Sequence, residues 1–144
     1  MPSRVVAVDL GTRRIGVAVT DGLGLTAQPL ATIARHGGQR DLDAIAEVVK
    51  RYDAGRIVVG LPLSPEGEVG RAARSVQAFV ERLRGAVSVP IDLIDESFTT
   101  VEAEDVLLEA DLSRARRKQV VDRVAAAVIL RRWMDAHPAE GTSS

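Results

Sequence analysis

The 144-residue chain has no cysteine, so neither disulfides nor thiolate metal sites are open to it. Its two histidines, His36 and His137, stand far apart without partner spacing, which argues against a structural zinc site. Aromatic residues are scarce, with one Trp, one Tyr and two Phe. The core must therefore be built from Val, Ile, Leu and Ala. No apolar run approaches the roughly 20 residues of a membrane span, and the opening Met-Pro-Ser-Arg lacks the apolar stretch of a signal peptide. A soluble, cytoplasmic protein is expected, with no membrane partner. The net charge of −1 shows no global excess of positive charge, so any nucleic-acid surface must be a local patch.

What is present is a chain that is 46% apolar, enough to fold around a core of ordinary size. No internal repeat or linker separates two cores. Residues 1–137 are expected to form a single domain, and the polar residues 138–144 a flexible tail. The opening run organises the rest. Two β-branched stretches, Val5 to Leu10 and Ile15 to Thr20, flank Gly11-Thr12-Arg13-Arg14, which is the pattern of a hairpin. Asp9 sits at the end of the first stretch among apolar neighbours. A carboxylate there loses hydration and needs a cation or hydrogen-bond donors, and a metal ion is one good answer.

Asp21-Gly22 and Gly24 mark a second turn, with Asp21 read as structural. A third strand is expected over Leu25 to Ile33, where Pro29 suits an edge or strand end. Leu42, Ile45, Ala46 and Val49 then repeat at helical spacing from Asp41 to Tyr52. Arg56 to Val59 suits a short buried strand. Gly60 to Gly70 reads as a loop at the carboxyl end of that strand, a common place for function. A helix with Ala72, Val76, Phe79, Val80 and Leu83 on one face follows, and then a strand over Ile91 to Asp95. Thr99 and Glu102 match a capping box for a helix bearing Ala103, Val106, Leu107 and Ala110. Ser113 can cap a final helix to about Met134 with Val121, Val124, Ala125, Val128 and Ile129 as its stripe. Three strands in meander followed by βαβ crossovers describe an α/β protein with a mixed five-stranded sheet and helices on both faces. This is the ribonuclease H-like order.

The segment Val8-Asp9-Leu-Gly11-Thr-Arg-Arg14-Ile-Gly16-Val-Ala18-Val-Thr-Asp21 resembles the signature of the YqgF/RuvX family of bacterial ribonuclease H-fold proteins. Gly60-Leu-Pro62 with Gly67 and Gly70, Asp95-Glu96 with Thr99-Thr100, and Lys118 with Asp122 and Ala125-Ala126 match in the same order. The resemblance covers nearly the whole chain. Such proteins are described as Holliday-junction resolvases and as nucleases maturing the 5′ end of pre-16S ribosomal RNA. One departure stands out: the family usually carries Arg after the Asp-Glu pair, and here that position is Ser97.

The activity implied is metal-dependent phosphodiester cleavage, in which two divalent ions roughly 4 Å apart activate water and shield the phosphate charge. Asp9, Glu96 and Asp122 are the natural triad for Mg²⁺ or Mn²⁺, which prefer oxygen ligands. Each also has a plainer reading. Asp9 can cap the hairpin turn, and Glu96 can be a solvated residue favoured by a helix N-terminus. Asp122 can pair with Lys118 one turn away. Asp95 rivals Glu96, because adjacent strand residues point to opposite faces; the resemblance favours Glu96. Arg114, Arg116, Arg117 and Lys118 crowd the start of the final helix, where the dipole disfavours cations, so an anionic partner is suggested. Arg13 and Arg14 are further phosphate contacts, or simply an exposed turn.

The leading function is thus a nuclease acting on structured RNA, with branched DNA as the alternative substrate and a monomer or homodimer as the working form. A nucleotide-phosphate binder of the actin and sugar-kinase group also begins Asp-x-Gly-Thr, but it needs two such domains. A catalytically silent ribosome-assembly factor that keeps the fold is the third class, and Ser97 is its main support.

Overall fold

The computed structural model describes residues 4–63, 68–96 and 114–137, with the side chains of 114–122 outside that description. Ser97, the Thr99 capping box and its helix, the Ser113 cap and the 138–144 tail lie outside the described residues. So do the side chains of Arg114, Arg116, Arg117, Lys118, Val121 and Asp122.

The described elements are β1 (Arg4–Leu10), β2 (Arg14–Thr20), β3 (Ala27–Ala34), α1 (Gln39–Arg51), β4 (Ala54–Leu61), α2 (Arg71–Arg84), β5 (Ile91–Asp95) and α3 (Arg114–Ala136). The strands form one sheet in the order β3-β2-β1-β4-β5. β1, β2 and β3 run antiparallel in succession, while β1, β4 and β5 are parallel. The expected mixed five-stranded sheet is therefore present, and the three parallel strands end on the same side.

Alternation along each strand divides the core in two. Val6 and Val8, Ile15 and Val17, and Ile57 and Val59 face α1 and α2, packing on Leu42, Ile45, Val76, Phe79 and Leu83. Ala7, Ala18 and Val58 face the other way and pack on Ala126, Ile129 and Leu130 of α3. Small side chains dominate that second seam, so α3 lies close to the sheet. Thr20 Oγ1 accepts a hydrogen bond from the Val5 amide at 2.9 Å, where the β1–β4 register shifts between Arg4 and Val5.

Several expectations are corrected. β3 begins at Ala27 rather than Leu25, because Asp21 Oδ1 accepts the amides of Leu25 at 2.7 Å and Thr26 at 3.3 Å and holds that stretch as a loop. Pro29 sits on the edge strand beside a register shift, where its missing N–H is tolerated. α1 starts at Gln39, two residues before Asp41. Gly37 and Gly38 take φ of 83° and 70°, values that favour glycine. The buried Asp41 reaches back to accept the His36 and Gly37 amides at 2.9 and 2.8 Å. β4 extends to Leu61, so Gly60 is a strand residue and not part of a loop. α2 buries Ala73 in place of Ala72. α3 buries Ala125, Ala126, Ile129 and Leu130, with Val124 and Val128 only half-buried. The run from Val124 to Leu130 is apolar all round, so periodicity alone could not fix which side faces the sheet.

Candidate metal and nucleic-acid site

Strand parity places the candidate acids. Asp9 follows Val5 and Ala7 on the α3-facing side of β1, and it is 8% exposed. Its partner on β2 is Gly16. On the other side, one step beyond the pair Val8–Val59, lies Gly60. Asp9 thus sits between two strands that carry no side chain at its level.

Glu96 follows directly on β5, and its amide still donates to Leu61 O at 3.1 Å. Counting from Asp92 and Ile94, it falls on the α3-facing side, the side of Asp9. Asp95 falls on the opposite side and is exposed, whereas Glu96 is half-buried. A β-carbon placed on Gly60 would lie 2.9 Å from Glu96 Cβ, 3.0 Å from Glu96 Cδ and 2.6 Å from Ile129 Cδ1. The Glu96 carboxyl carbon is therefore folded over β4, toward β1 and Asp9. Residues 9, 60 and 96 close the carboxyl ends of three parallel strands, the end at which α/β sheets collect ligands.

α3 runs against these strands. Trp133 contacts Asp92 near the start of β5, while Ile129 lies over Gly60 near the end of β4. Position 122 is two turns before Ile129, about 10 Å further along the axis toward the strand ends. Helical register puts it on the face of Ala126 and Ile129. Among the described residues no three acidic or imidazole groups gather as a metal cluster. The structure brings Asp9 and Glu96 to one face, and the Asp122 side chain falls outside the description.

Arg13 and Arg14 are exposed in the β1–β2 turn, at the same end of the sheet. The turn is closed by the Gly11 amide donating to Arg14 O at 2.9 Å. Arg35, which the sequence reading did not single out, fastens it. Its amide donates to Arg13 O at 2.9 Å, its guanidinium donates to Gly11 O at 2.7 Å, and the same group lies 5.7 Å over the Phe79 ring. No local pattern marks Arg35, because both of its partners are distant in sequence. Arg114 and Lys118 belong to the first turns of α3.

Residues 3–136 match the family model described as RuvX, Holliday junction resolvase. The chain belongs to this family. Relatives from Moorella thermoacetica and Myxococcus xanthus, each named "Putative pre-16S rRNA nuclease", are 49% identical over 132 residues and 47% identical over 134. The matches cover 92% and 93% of this RuvX-family chain and 94% and 89% of those proteins. Among solved structures, Thermus thermophilus RuvC in complex with Holliday junction substrate superposes with a TM-score of 0.60 at 18% identity, covering 94% of this chain and 97% of that one. Fowlpox virus resolvase with Holliday junction DNA gives 0.58 at 12% identity, with 92% and 97% coverage. At these identities the likeness is one of fold, and it establishes the ribonuclease H-like architecture of the RuvX-family chain. No helix among the described residues is long and apolar enough to cross a membrane.

Proposed function

We propose that this chain is a cytoplasmic, divalent-metal-dependent nuclease that hydrolyses phosphodiester bonds in structured nucleic acid, with the 5′ end of pre-16S rRNA as its substrate. The carrying observation is that a buried Asp9 and a half-buried Glu96 share the α3-facing side of the sheet at the carboxyl ends of their strands, with Glu96 lying over the bare Gly60 of the strand between them. The names of the relatives supply the substrate class.

The donor set fits Mg²⁺ or Mn²⁺. It offers carboxylate oxygens, with no thiolate anywhere in the chain to favour a softer ion. Asp9 and Glu96 would hold the ion, with Asp122 as the third ligand. On binding, the ion supplies activation of a water and neutralisation of phosphate charge. The protein contributes position. Burial between Gly16 and Gly60 holds Asp9 in one place without crowding it. Arg13 and Arg14, with Arg114 and Lys118, would contact phosphates on either side and orient the scissile bond. Such contacts position a backbone without reading its sequence. Both described carboxylates come from one chain, so a monomer suffices for single cuts. Resolution of a four-way junction, the reading favoured by the family's description, would call for a symmetric dimer.

The test is cleavage of labelled precursor rRNA and of a four-way DNA junction by purified wild type and Asp9→Asn, with Mn²⁺, Mg²⁺ or chelator. The expected result is metal-dependent cutting of the RNA, reduced in Asp9→Asn to about a hundredth or less, equivalent to about 2.7 kcal/mol of barrier. Preference for the junction would move the substrate assignment to DNA. Equal cutting by both proteins would sink the role of Asp9. Binding without cutting by either would support the silent assembly factor.

A further inference from the structure

Gly60 is buried within β4, where glycine weakens a strand by roughly 0.5–1 kcal/mol relative to alanine. Its backbone is not left-handed, since the positive-φ residues among those described are Gly24, Gly37, Gly38 and Asp53. Conformational freedom therefore does not explain it. Space does: a single methyl group at this position would meet both Ile129 and Glu96 at 3.0 Å or less.

The two neighbours imply different roles. The contact with Ile129 is a packing matter, in which a side-chain end in the α3 seam would have to move. The contact with Glu96 involves Cβ as well as Cδ, and Cβ moves only with the backbone, so relief there requires the end of β5 to shift and to take the whole Glu96 side chain off β4. Because β4 separates β5 from β1, that shift would carry the carboxylate away from Asp9.

Building on the metal-nuclease reading, we infer that Gly60 is a positioning residue, whose missing side chain lets the Glu96 carboxylate cross β4 to share an ion with Asp9. Gly60 touches neither substrate nor metal. It acts through Glu96.

The experiment compares wild type, Gly60→Ala, Ile129→Val and Gly60→Ala/Ile129→Val, with Asp9→Asn as control. Mn²⁺ binding is measured by calorimetry, and folding by thermal melts monitored by circular dichroism. Ile129→Val deletes Cδ1 and so removes the packing conflict while leaving the one with Glu96. The expected result is a loss of about 10–100-fold in Mn²⁺ affinity for Gly60→Ala, the range for residues that orient metal ligands. That loss should persist in the double variant even as its melting temperature recovers. Recovery of Mn²⁺ affinity to the Ile129→Val level would make Gly60 a packing residue only and overturn the inference, as would failure of both Gly60→Ala proteins to fold. Unchanged Mn²⁺ binding by Asp9→Asn would remove the ion from this site, which is a failure of the metal reading itself, separate from Gly60.

Discussion

The lower end of α3 is tied to the sheet by a polar cluster whose strength can be measured. Trp133 Nε1 donates to Asp92 Oδ2 at 2.9 Å, and Arg56 pairs with Asp92 Oδ1 at 2.8 Å. The Arg56 guanidinium also lies 5.9 Å from the Trp133 ring centroid, and His137 stacks on that ring at 4.4 Å. The ion pair, with side chains 36% and 33% exposed, is worth only about 0–1 kcal/mol. The indole bond to a part-buried carboxylate should contribute about 1–1.5 kcal/mol. Trp133→Phe loses that bond and some apolar contact, for about 2 kcal/mol in all. The melting temperature should then fall by about 4–8 °C. Urea unfolding of wild type, Trp133→Phe, Asp92→Ala and the double variant isolates the bond, with an expected coupling of about 1 kcal/mol. A coupling within about 0.3 kcal/mol of zero would mean that the bond does not hold α3, and the reasoning would fail.

Two further predictions concern carboxylates remote from the strand ends. Asp41→Ala strips two backbone amides of their acceptor at a fully buried position and should cost about 2–3 kcal/mol; a change under about 0.5 kcal/mol in urea unfolding, typical of surface substitutions, would contradict the buried cap. Asp21 is held below its ordinary pKa of 3.8, chiefly by the Leu25 amide. A lowered folded-state value means that its stabilisation is complete above the unfolded-state pKa and is lost as pH falls through the folded one. The gap in urea midpoint between wild type and Asp21→Asn should therefore be constant above about pH 5 and shrink below the ordinary value. A gap that does not change with pH would refute the role assigned to the charge.

Much of the architecture was legible because strands and helices carry different periods. The hairpin, the α1 stripe and the edge placement of Pro29 follow from alternation and turn chemistry alone. The two helix faces that were misjudged fail for local reasons. In α2, Ala72 and Ala73 are alike, and in α3 every residue from 124 to 130 is apolar, so tertiary packing decides. Asp41 was invisible as a cap because its partners precede the helix across two left-handed glycines. Arg35 was missed because it is fixed by a turn more than 20 residues earlier. The choice between Asp95 and Glu96 became a matter of face only once the β5 register was known. Parity counted from Asp92, which meets Trp133 of α3, then puts Glu96 on the side of Asp9.

The same parity explains why the seam under α3 is small while the opposite face is large. Ala7 and Ala18 lie two residues before and after the level of Asp9 and Gly16 on their strands, and Ala126 meets them from the helix. Bulkier residues there would lift α3 and admit water around Asp9, exposing a carboxylate that the seam keeps 8% exposed. Close packing has a second consequence. The helix is seated on alanines with Ile129 against Gly60, and a one-residue slip would shift it by about 1.5 Å along its axis and turn it by about 100°. The Trp133–Asp92 bond opposes such a slip at the far end of the helix. The indole and the carboxylate that receives it thus help to set the register of α3 against the sheet.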